Sequence, residues 1–234
     1  MRGRAVDGSW RKDFNPLRIA NAYELGGDYT EGNAWQYTWL VPHDVDGLVE
    51  LLGGKEKFLS KLENLFTLPS FPEGLPKLLD VSGLIGQYAH GNEPSQHIAY
   101  LFAMAGRPWR TQELVREICD RFYSLEPDGV CGNEDNGQMS AWYIFSAMGF
   151  YPVDPVGGEY IIGAPQLPEI WLTLGNGGKL FVKAKNLSPA NKYVKSVAFN
   201  GKRIEGCRIR HSELVKGGEL VFEMTSDPVK EIAP

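Results

Sequence analysis

The sequence has few cysteines, no long apolar run and no dense basic tract. Its 234 residues include three widely spaced cysteines, Cys119, Cys131 and Cys207, which fit neither a disulfide framework nor a CxxC metal site. Without a run of about 18 apolar residues, no membrane span is predicted. A formal net charge of -5 at pH 7 without basic clusters argues against nucleic-acid binding. The sequence therefore predicts neither a membrane nor a nucleic-acid partner.

Several catalytic and targeting motifs are also missing. The sequence contains no GxSxG nucleophile elbow, no GxxxxGK[ST] loop and no HExxH helix. Residues 128–137 do not match the ligand pattern of an EF-hand. The sequence begins without the apolar segment of about 7–15 residues that a signal peptide needs, so its compartment is left open.

The residues that are present predict a mainly α fold with a C-terminal antiparallel β region. The 43% hydrophobic and 12% aromatic content is enough for a buried core. Apolar spacing of helical type predicts helices over 45–52, 55–66, 94–105, 108–123 and 138–148. Short β-like runs predict strands over 159–162, 170–174, 179–184, 194–199 and 219–224. We therefore predict a helical part over residues 1–155 and a β-rich segment over residues 156–234.

Three polar loops, each bounded by glycines and close to aromatic residues, precede helical or apolar segments. The first covers residues 29–39 and is followed by Pro42, His43 and Asp44; the second covers 90–97 and the third 132–138. Helix capping by Asn and Asp is one explanation for each loop taken alone. Together they also suit a sugar site, in which aromatic rings stack on the pyranose and carboxylates or amides bind its hydroxyl groups. Glycoside cleavage requires two carboxyl groups, and oxygen-rich side chains suit a hard cation such as calcium.

The amino-acid sequences of these loops resemble those of glycoside hydrolase family 92. The resemblance is carried by Glu31-Gly32-Asn33-Ala34-Trp35-Gln36-Tyr37-Thr38-Trp39 with Val41-Pro42-His43-Asp44, by Gly91-Asn92-Glu93-Pro94-Ser95, and by Gly132-Asn133-Glu134-Asp135 with Gly137-Gln138-Met139-Ser140-Ala141-Trp142. Gly149-Phe150-Tyr151-Pro152 and the β-rich segment are similar to the same family's C-terminal end. The resemblance covers nearly the whole sequence, with the motifs in order.

The resemblance implies an exo-α-mannosidase that depends on Ca²⁺ and inverts the anomeric carbon. It implies that Glu31 is the general acid and that Asp135 is both the general base and a calcium ligand. Asn92 and Glu93 match the other calcium-binding positions. Some members have aspartate where this protein has Asn133; if that aspartate shares the role of base, the amide here leaves Asp135 to act largely alone. Inversion predicts that the acid and the base lie roughly 6.5–9.5 Å apart.

Five further residues of the loops are predicted to contact the sugar: Trp35, His43, Asp44, Asn133 and Glu134. The expected substrate is a mannose-containing glycan with a terminal α-linked mannose, the α-1,2 linkage being favoured. The resemblance also implies that residues 1–155 are the C-terminal part of an (α/α)6 catalytic barrel and that a β-sandwich precedes the barrel. The sequence holds about five predicted helices, whereas such a barrel has twelve. We therefore expect it to be poorly soluble or inactive alone, with the missing N-terminal part of the same enzyme as a possible partner.

Two other functions are compatible with the sequence. One is an (α/α)6 glycosidase that acts on a different sugar, which inhibition by EDTA and release of mannose from α-1,2-mannobiose would separate from a mannosidase. The other is a non-catalytic fragment or carbohydrate-binding module that keeps the fold, and it would bind calcium and mannose without turnover.

Overall fold

The computed structural model describes residues 2–19, 28–70 and 81–230. In these ranges the α-helices are α1 (Ala34–Tyr37), α2 (Val45–Leu51), α3 (Lys55–Thr67), α4 (Leu101–Met104), α5 (Pro108–Phe122), α6 (Gln138–Met148) and α7 (His211–Leu214). The strands are β1 (Leu84–Ile85), β2 (Tyr88–Ala89), β3 (Phe150–Tyr151), β4 (Glu159–Ile162), β5 (Glu169–Thr173), β6 (Lys179–Lys185), β7 (Tyr193–Phe199), β8 (Lys202–Arg203), β9 (Arg208–Arg210) and β10 (Gly218–Thr225). Two short 3-10 helices cover Glu93–Ser95 and Ile98–Tyr100.

The protein divides into two compact units that are discontinuous in sequence. The first unit comprises residues 1–96 and 124–139, and the second comprises residues 97–123 and 140–234. Six of the seven described α-helices and one short hairpin lie before residue 149, and most strands and α7 lie after it. The predicted domain boundary between residues 155 and 156 stays a prediction.

The first unit holds α1, α2, α3 and the antiparallel β1–β2 hairpin. Phe58, Leu62 and Leu65 lie on one face of α3 and are fully buried, as the helical spacing of its apolar residues requires. Trp39 packs edge-on against Phe58 with ring centroids 5.5 Å apart. The hairpin joins this core through Tyr88, because its ring stacks on Phe66 at 4.9 Å. The polar loop after β2 therefore starts from a well-packed strand.

The second unit contains two sheets and the helix α5. One sheet has the strand order β5-β6-β10-β7-β8 and the other has the order β3-β4-β9. α5 begins with Pro108, where a missing N–H costs no helical hydrogen bond. The side chain of Gln112 in α5 accepts a hydrogen bond from the backbone N–H of Val194 in β7 at 3.1 Å. The sheet core is apolar, with Phe222, Leu220 and Val194 fully buried.

Two local expectations are wrong in detail. The predicted helix over residues 94–105 is divided into two 3-10 turns and the four-residue helix α4. β10 pairs in parallel with β6, while every other strand pair in the described residues is antiparallel. The remaining predicted helices and strands are present, with ends that differ by one residue or less. The mainly α arrangement with a C-terminal β region is thus confirmed in outline.

No helix in the described ranges is both long and apolar enough to cross a membrane. All three cysteines are free thiols.

Candidate active site

The first loop is held by a capping box at the start of α1. The buried Asn33 side chain accepts hydrogen bonds from the backbone N–H groups of Trp35 at 3.0 Å and Gln36 at 3.1 Å. In return, Gln36 Oε1 accepts from the backbone N–H of Asn33 at 3.0 Å. The Asn33 amide also donates to Gln87 Oε1 at 2.9 Å, which ties the helix start to the β1–β2 hairpin. Glu31 lies two residues before this fixed point.

Glu31 itself sits on an unusual backbone that contacts the second loop. Its φ of 56° lies in the left-handed region, which costs about 1–2 kcal/mol for a residue with a side chain. The carbonyl oxygen of Glu31 accepts a hydrogen bond from Asn92 Nδ2 at 2.8 Å. Asn92 is buried, and with Nδ2 engaged its Oδ1 is the atom left to bind a cation.

The second and third loops meet through two glycines. A Cβ atom built on Gly132 would lie 2.6 Å from both Cα and O of Gly91, and one built on Gly91 would lie 3.2 Å from Gly132 Cα. The Ser82 hydroxyl donates to the carbonyl of Cys131, and the Ser82 carbonyl accepts from the N–H of Gly91 at 3.1 Å. The two backbones therefore pack directly against each other, and the contact leaves no room for a side chain.

Two glutamines provide a second link between these loops. Gln138 Nε2, at the end of the third loop, donates to Gln96 Oε1 at 2.7 Å. Gln96 Nε2 in turn lies 2.9 Å from the sulfur of Met139. Gln96 is almost fully buried, so this contact fixes where the third loop ends.

The three loops bring together Glu31, Glu93 and Asp135, which we call the carboxylate trio. Burial raises the pKa of Glu93, and so do a hydrogen bond with the Asp135 carboxyl and the negative charges of Asp135 and Glu31. The carboxyl groups of Glu31 and Asp135, from distant parts of the sequence, thus both lie within electrostatic reach of Glu93.

The members of the trio differ in exposure and backbone strain. Glu31 and Glu93 are half-buried, whereas Asp135 is exposed. Asp135 has a φ of 40° and Asn136 a φ of 58°, so both follow left-handed backbone. Asn133 and Glu134 are also exposed, and the Glu134 carbonyl accepts from the N–H of Gly137 at 3.1 Å. The third loop therefore presents its polar side chains on the surface of the first unit.

The other residues predicted to contact sugar have structural contacts of their own. Trp35 is half-buried, and the Lys61 ammonium lies 4.1 Å from its ring centroid. Burial lowers the pKa of Lys61. Asp44 caps α2 by accepting from the N–H of Gly47 at 2.8 Å, and His43 beside it is exposed. The described contacts of His43 and Asp44 do not connect them with the trio, so their binding roles stay predictions.

Several residues that hold the site were not singled out from the sequence. Ser82, Gln87, Gln96 and Lys61 lie outside the motifs or look like ordinary polar residues within them. His90 is a further case: its Nδ1 is 2.8 Å from the Tyr88 hydroxyl. Burial lowers the pKa of His90 to about 3, so its ring is neutral at pH 7. The only signal of these roles in the sequence is that Ser82, Gln87 and His90 each lie next to a glycine. How deeply each is buried follows from the structure alone.

The donor atoms present fit a calcium ion chemically. Within the described residues, no group of three or more His, Cys, Asp or Glu side chains is arranged to hold a metal ion, so a calcium site here would combine two carboxylates with an amide. The negative charge of Asp135 raises the pKa of Glu93, and a hard cation between the two carboxylates would relieve that repulsion. The Asn92 amide oxygen is a third ligand of the type that calcium prefers. The catalytic and metal-binding roles of these residues remain predictions.

Comparison with known proteins identifies relatives over almost the whole sequence. Residues 1–226 match the glycosyl hydrolase family 92 catalytic domain. The chain is 41% identical to the family GH92 alpha-mannosidase BT3965 from Bacteroides thetaiotaomicron, solved in complex with mannoimidazole, with a TM-score of 0.93 over 100% of this chain and 32% of that chain. For the family GH92 inverting mannosidase BT2199 from Bacteroides thetaiotaomicron VPI-5482, identity is 40% and the TM-score 0.82, over 98% of this chain and 31% of that chain.

A fungal relative is more distant. The chain is 28% identical over 193 residues to an uncharacterized secreted glycosidase of Arthroderma benhamiae, and the match spans 81% of this chain and 23% of the relative. The chain thus spans about a third of the length of the two bacterial mannosidases and about a quarter of the fungal protein.

Proposed function

We propose, from the premise that this chain belongs to glycosyl hydrolase family 92, that it carries the acid, base and metal-binding residues of an exo-α-mannosidase. The reaction is hydrolysis of a terminal α-linked mannose with inversion at the anomeric carbon. The observation that supports it most is the meeting of Glu31, Glu93 and Asp135, three carboxyl groups from separate loops. Helix capping alone explains none of these contacts, because Asn33 and not Glu31 caps α1.

Glu31 is the general acid in this proposal. Glu31 is half-buried, and it lies near enough to Glu93 for its negative charge to raise the pKa of that carboxyl group. The proton goes to the oxygen of the departing sugar as the glycosidic bond breaks. The hydrogen bond from Asn92 to the Glu31 carbonyl holds the backbone from which this side chain extends. Asn92 is thus a positioning residue for the acid.

Asp135 is the general base in this proposal. It is the exposed member of the trio, so water reaches it directly. An inverting reaction needs the base to remove a proton from a water molecule on the face opposite the departing group. Asn133 is an amide and cannot share this task, which leaves proton removal to Asp135.

Calcium fits the proposal, with Asn92, Glu93 and Asp135 as its ligands in this protein. When bound, the ion would supply positive charge beside the mannose hydroxyl groups and favour a flattened ring. The protein's own task is to hold the three oxygen donors together, and the Gly91–Gly132 contact does this for the two loops that carry them. Without a cation, the like charges of the trio oppose one another.

The finer assignments are part of the same proposal. We infer a mannose-containing glycan as substrate, with α-1,2 as the expected linkage. Trp35 is the stacking surface for the sugar, held on one ring face by Lys61. His43, Asp44, Asn133 and Glu134 are the expected hydroxyl-binding residues. The helices are proposed to belong to an (α/α)6 barrel, as the full match to much longer mannosidases suggests.

The activity test uses the whole gene product, whether that is these 234 residues or a longer protein. The enzyme should release mannose from α-1,2-mannobiose, lose activity in EDTA and regain it with Ca²⁺. Proton NMR should show β-mannose as the first product, because inversion converts an α-linkage into a β-anomer. First release of α-mannose, or equal activity in EDTA, would contradict the mechanism.

Two variants separate the roles of acid and base. Glu31→Gln should lower kcat by about 10²–10⁴-fold on mannobiose, and much less on an aryl mannoside whose leaving group needs no proton. Asp135→Asn should lower both rates alike. The exposed Glu205, in the second unit, offers a control: Glu205→Gln should leave both rates unchanged.

A further inference from the structure

The sequence contains three Asn-Gly pairs: Asn136-Gly137, Asn176-Gly177 and Asn200-Gly201. This dipeptide is chemically unstable, because glycine has no side chain to hinder its backbone nitrogen from attacking the carbonyl of the asparagine amide. The attack requires the side chain to rotate toward that nitrogen. Hydrogen bonds that hold the amide in another position therefore protect the asparagine.

The structure holds two of the three asparagines in this way. Asn176 Nδ2 donates to the Val215 carbonyl at 2.8 Å, and its Oδ1 accepts from the N–H of Gly178 at 2.9 Å. Asn200 Oδ1 accepts from the N–H of Glu219 at 2.8 Å. Both side chains must break these bonds before they can react.

Asn136 lacks such protection. Its side chain is exposed and makes no hydrogen bond with the described residues, while its backbone has a φ of 58°. The next residue's N–H, that of Gly137, donates to the Glu134 carbonyl at 3.1 Å. The N–H of Gly177 likewise donates to the Leu174 carbonyl at 2.8 Å. The hydrogen bond of the glycine N–H therefore does not distinguish Asn136 from Asn176, whereas the side-chain hydrogen bonds do.

We propose that Asn136 is a site of spontaneous deamidation, and that the reaction modifies the loop carrying Asp135. The Gly137 nitrogen gives up its proton to solvent base and forms a bond to Asn136 Cγ, and ammonia leaves as the bond between Cγ and Nδ2 breaks. The product is a succinimide. Water then opens either of its carbonyls, which yields aspartate or isoaspartate, and no oxidant or reductant is needed.

Both products change the residue directly after Asp135. Aspartate adds a negative charge beside an already acidic group, and isoaspartate also adds a methylene group to the backbone. On the proposed function, on which this consequence rests, the methylene moves the Asp135 carboxylate away from Glu93. The deamidation itself does not depend on that function.

The experiment incubates the purified protein at mildly alkaline pH and follows the three peptides by mass spectrometry, with fragmentation that distinguishes isoaspartate. We expect the Asn136 peptide to be modified at least about fivefold faster than each of the other two, since one lost hydrogen bond corresponds to a factor of that size. An intact Asn136, or equal rates at Asn176 or Asn200, would overturn the proposal.

Denaturation supplies the control for structural protection. In urea, modification of Asn176 and Asn200 should accelerate and approach the rate at Asn136, because all three share the same dipeptide chemistry. A persistent difference in urea would show that neighbouring sequence, and not the fold, selects Asn136, and would also overturn the proposal.

The consequence for the site has its own measurement. Terbium luminescence should show that metal affinity falls in proportion to the isoaspartate content of aged protein, and an Asn136→Gln variant aged in parallel should keep its affinity. Modification without loss of affinity would contradict the role of the loop in metal binding and leave the deamidation established. Loss of metal affinity in aged Asn136→Gln would contradict the link between deamidation of Asn136 and metal binding.

Discussion

At the scale of single residues, the proposed site combines backbone strain with negative charges that repel one another. Three of the five non-glycine residues with positive φ among those described, Glu31, Asp135 and Asn136, lie in the proposed active site. Such conformations persist only where surrounding contacts hold them. For Glu31 the contacts are the neighbouring Asn33 capping box and the hydrogen bond from Asn92, and for the third loop the Gly137 N–H bond to the Glu134 carbonyl. The fold therefore maintains an arrangement that the local backbone does not favour.

Replacing Glu93 tests the charge balance of the trio. Glu93→Gln removes one carboxylate that Asp135 and Glu31 repel, so the melting temperature in EDTA should rise by about 1–3 °C. The same change should weaken calcium binding by more than about tenfold, because an oxygen ligand loses its charge. Thermal unfolding with and without Ca²⁺ measures both effects. A variant that is less stable in EDTA but binds calcium normally would contradict the placement of Glu93.

At the scale of secondary-structure elements, close backbone packing brings the second and third loops together. Gly132→Ala would place a methyl group 2.6 Å from the backbone of Gly91, so the loops must separate at a cost of about 1–3 kcal/mol. Calcium affinity should fall with stability. Gly175→Ala is the matched control, since a Cβ there meets nothing within 4 Å, and its effect should stay within about 0.5 kcal/mol. Chemical denaturation and calcium titration compare the two.

The contact between α5 and β7 should stabilise the protein less as pH rises in the alkaline range. The Tyr193 hydroxyl donates to Glu113 Oε1 at 2.5 Å. Burial, followed by this hydrogen bond and the Glu113 charge, raises the pKa of Tyr193 to about 12 from 10.0. The unfolded protein therefore loses the proton first as pH rises.

The expected stability contribution of Tyr193 is fully present below about pH 10 and is lost as pH rises toward 12. The slope from this group is at most about 1.4 kcal/mol per pH unit. Tyr193→Phe should flatten that part of the pH profile in urea titrations. Equal slopes in wild type and Tyr193→Phe would refute the assignment.

The local pattern predicts most elements but not the tertiary contacts that alter them. α3 and α5 follow from apolar spacing, and the Asn200-Gly201 turn between β7 and β8 follows from its dipeptide. The backbone near Gln96 is tighter than the predicted helix, because the Gln96 side chain binds Gln138, 42 residues away. Helix α1 is not predicted, since its four residues carry no period and depend on the Asn33 box. The parallel pairing of β6 with β10 likewise depends on contacts between segments distant in sequence, so the local pattern does not predict it.

In the proposed site, too, the sequence predicts individual residues but not the long-range contacts between them. The motifs identify Glu31, Asn92, Glu93 and Asp135 through their resemblance to a family. The sequence holds no sign that Asn92 binds the Glu31 backbone or that two glycines join the loops. Those contacts depend on how distant segments meet, which local residue preferences do not encode.

At the scale of the whole molecule, the sheet of the second unit presents an exposed aromatic pair. Trp171 is 67% exposed and stacks on Phe181 at 3.9 Å between centroids. Trp171 lies on β5, an edge strand, and exposed apolar groups on sheet edges promote association. The ion pair between Lys183 and Glu169, at 3.3 Å on the same two strands, contributes little protection because both groups are exposed.

We expect Trp171→Thr to lower self-association, at a cost of about 1 kcal/mol from the lost ring stacking. Sedimentation velocity over a range of protein concentrations measures the first effect, and urea unfolding measures the second. Thr173→Ser, an exposed position on the same strand and face, should change neither. Unchanged association of Trp171→Thr would show that this pair is not the contact between copies.

The discontinuous first unit has a consequence for the order in which the site forms during translation. Glu31, Asn92 and Glu93 are synthesised before α5, whereas Asp135 lies on the returning segment, residues 124–139, and is synthesised after it. Roughly a hundred residues separate Glu31 from Asp135, the proposed acid and base, so their meeting is a slow, non-local step. On the proposed function, a nascent polypeptide that has formed the Asn92–Glu31 bond still lacks the proposed base and third metal ligand until Asp135 is made. We therefore expect the unfinished product to bind neither metal nor sugar tightly.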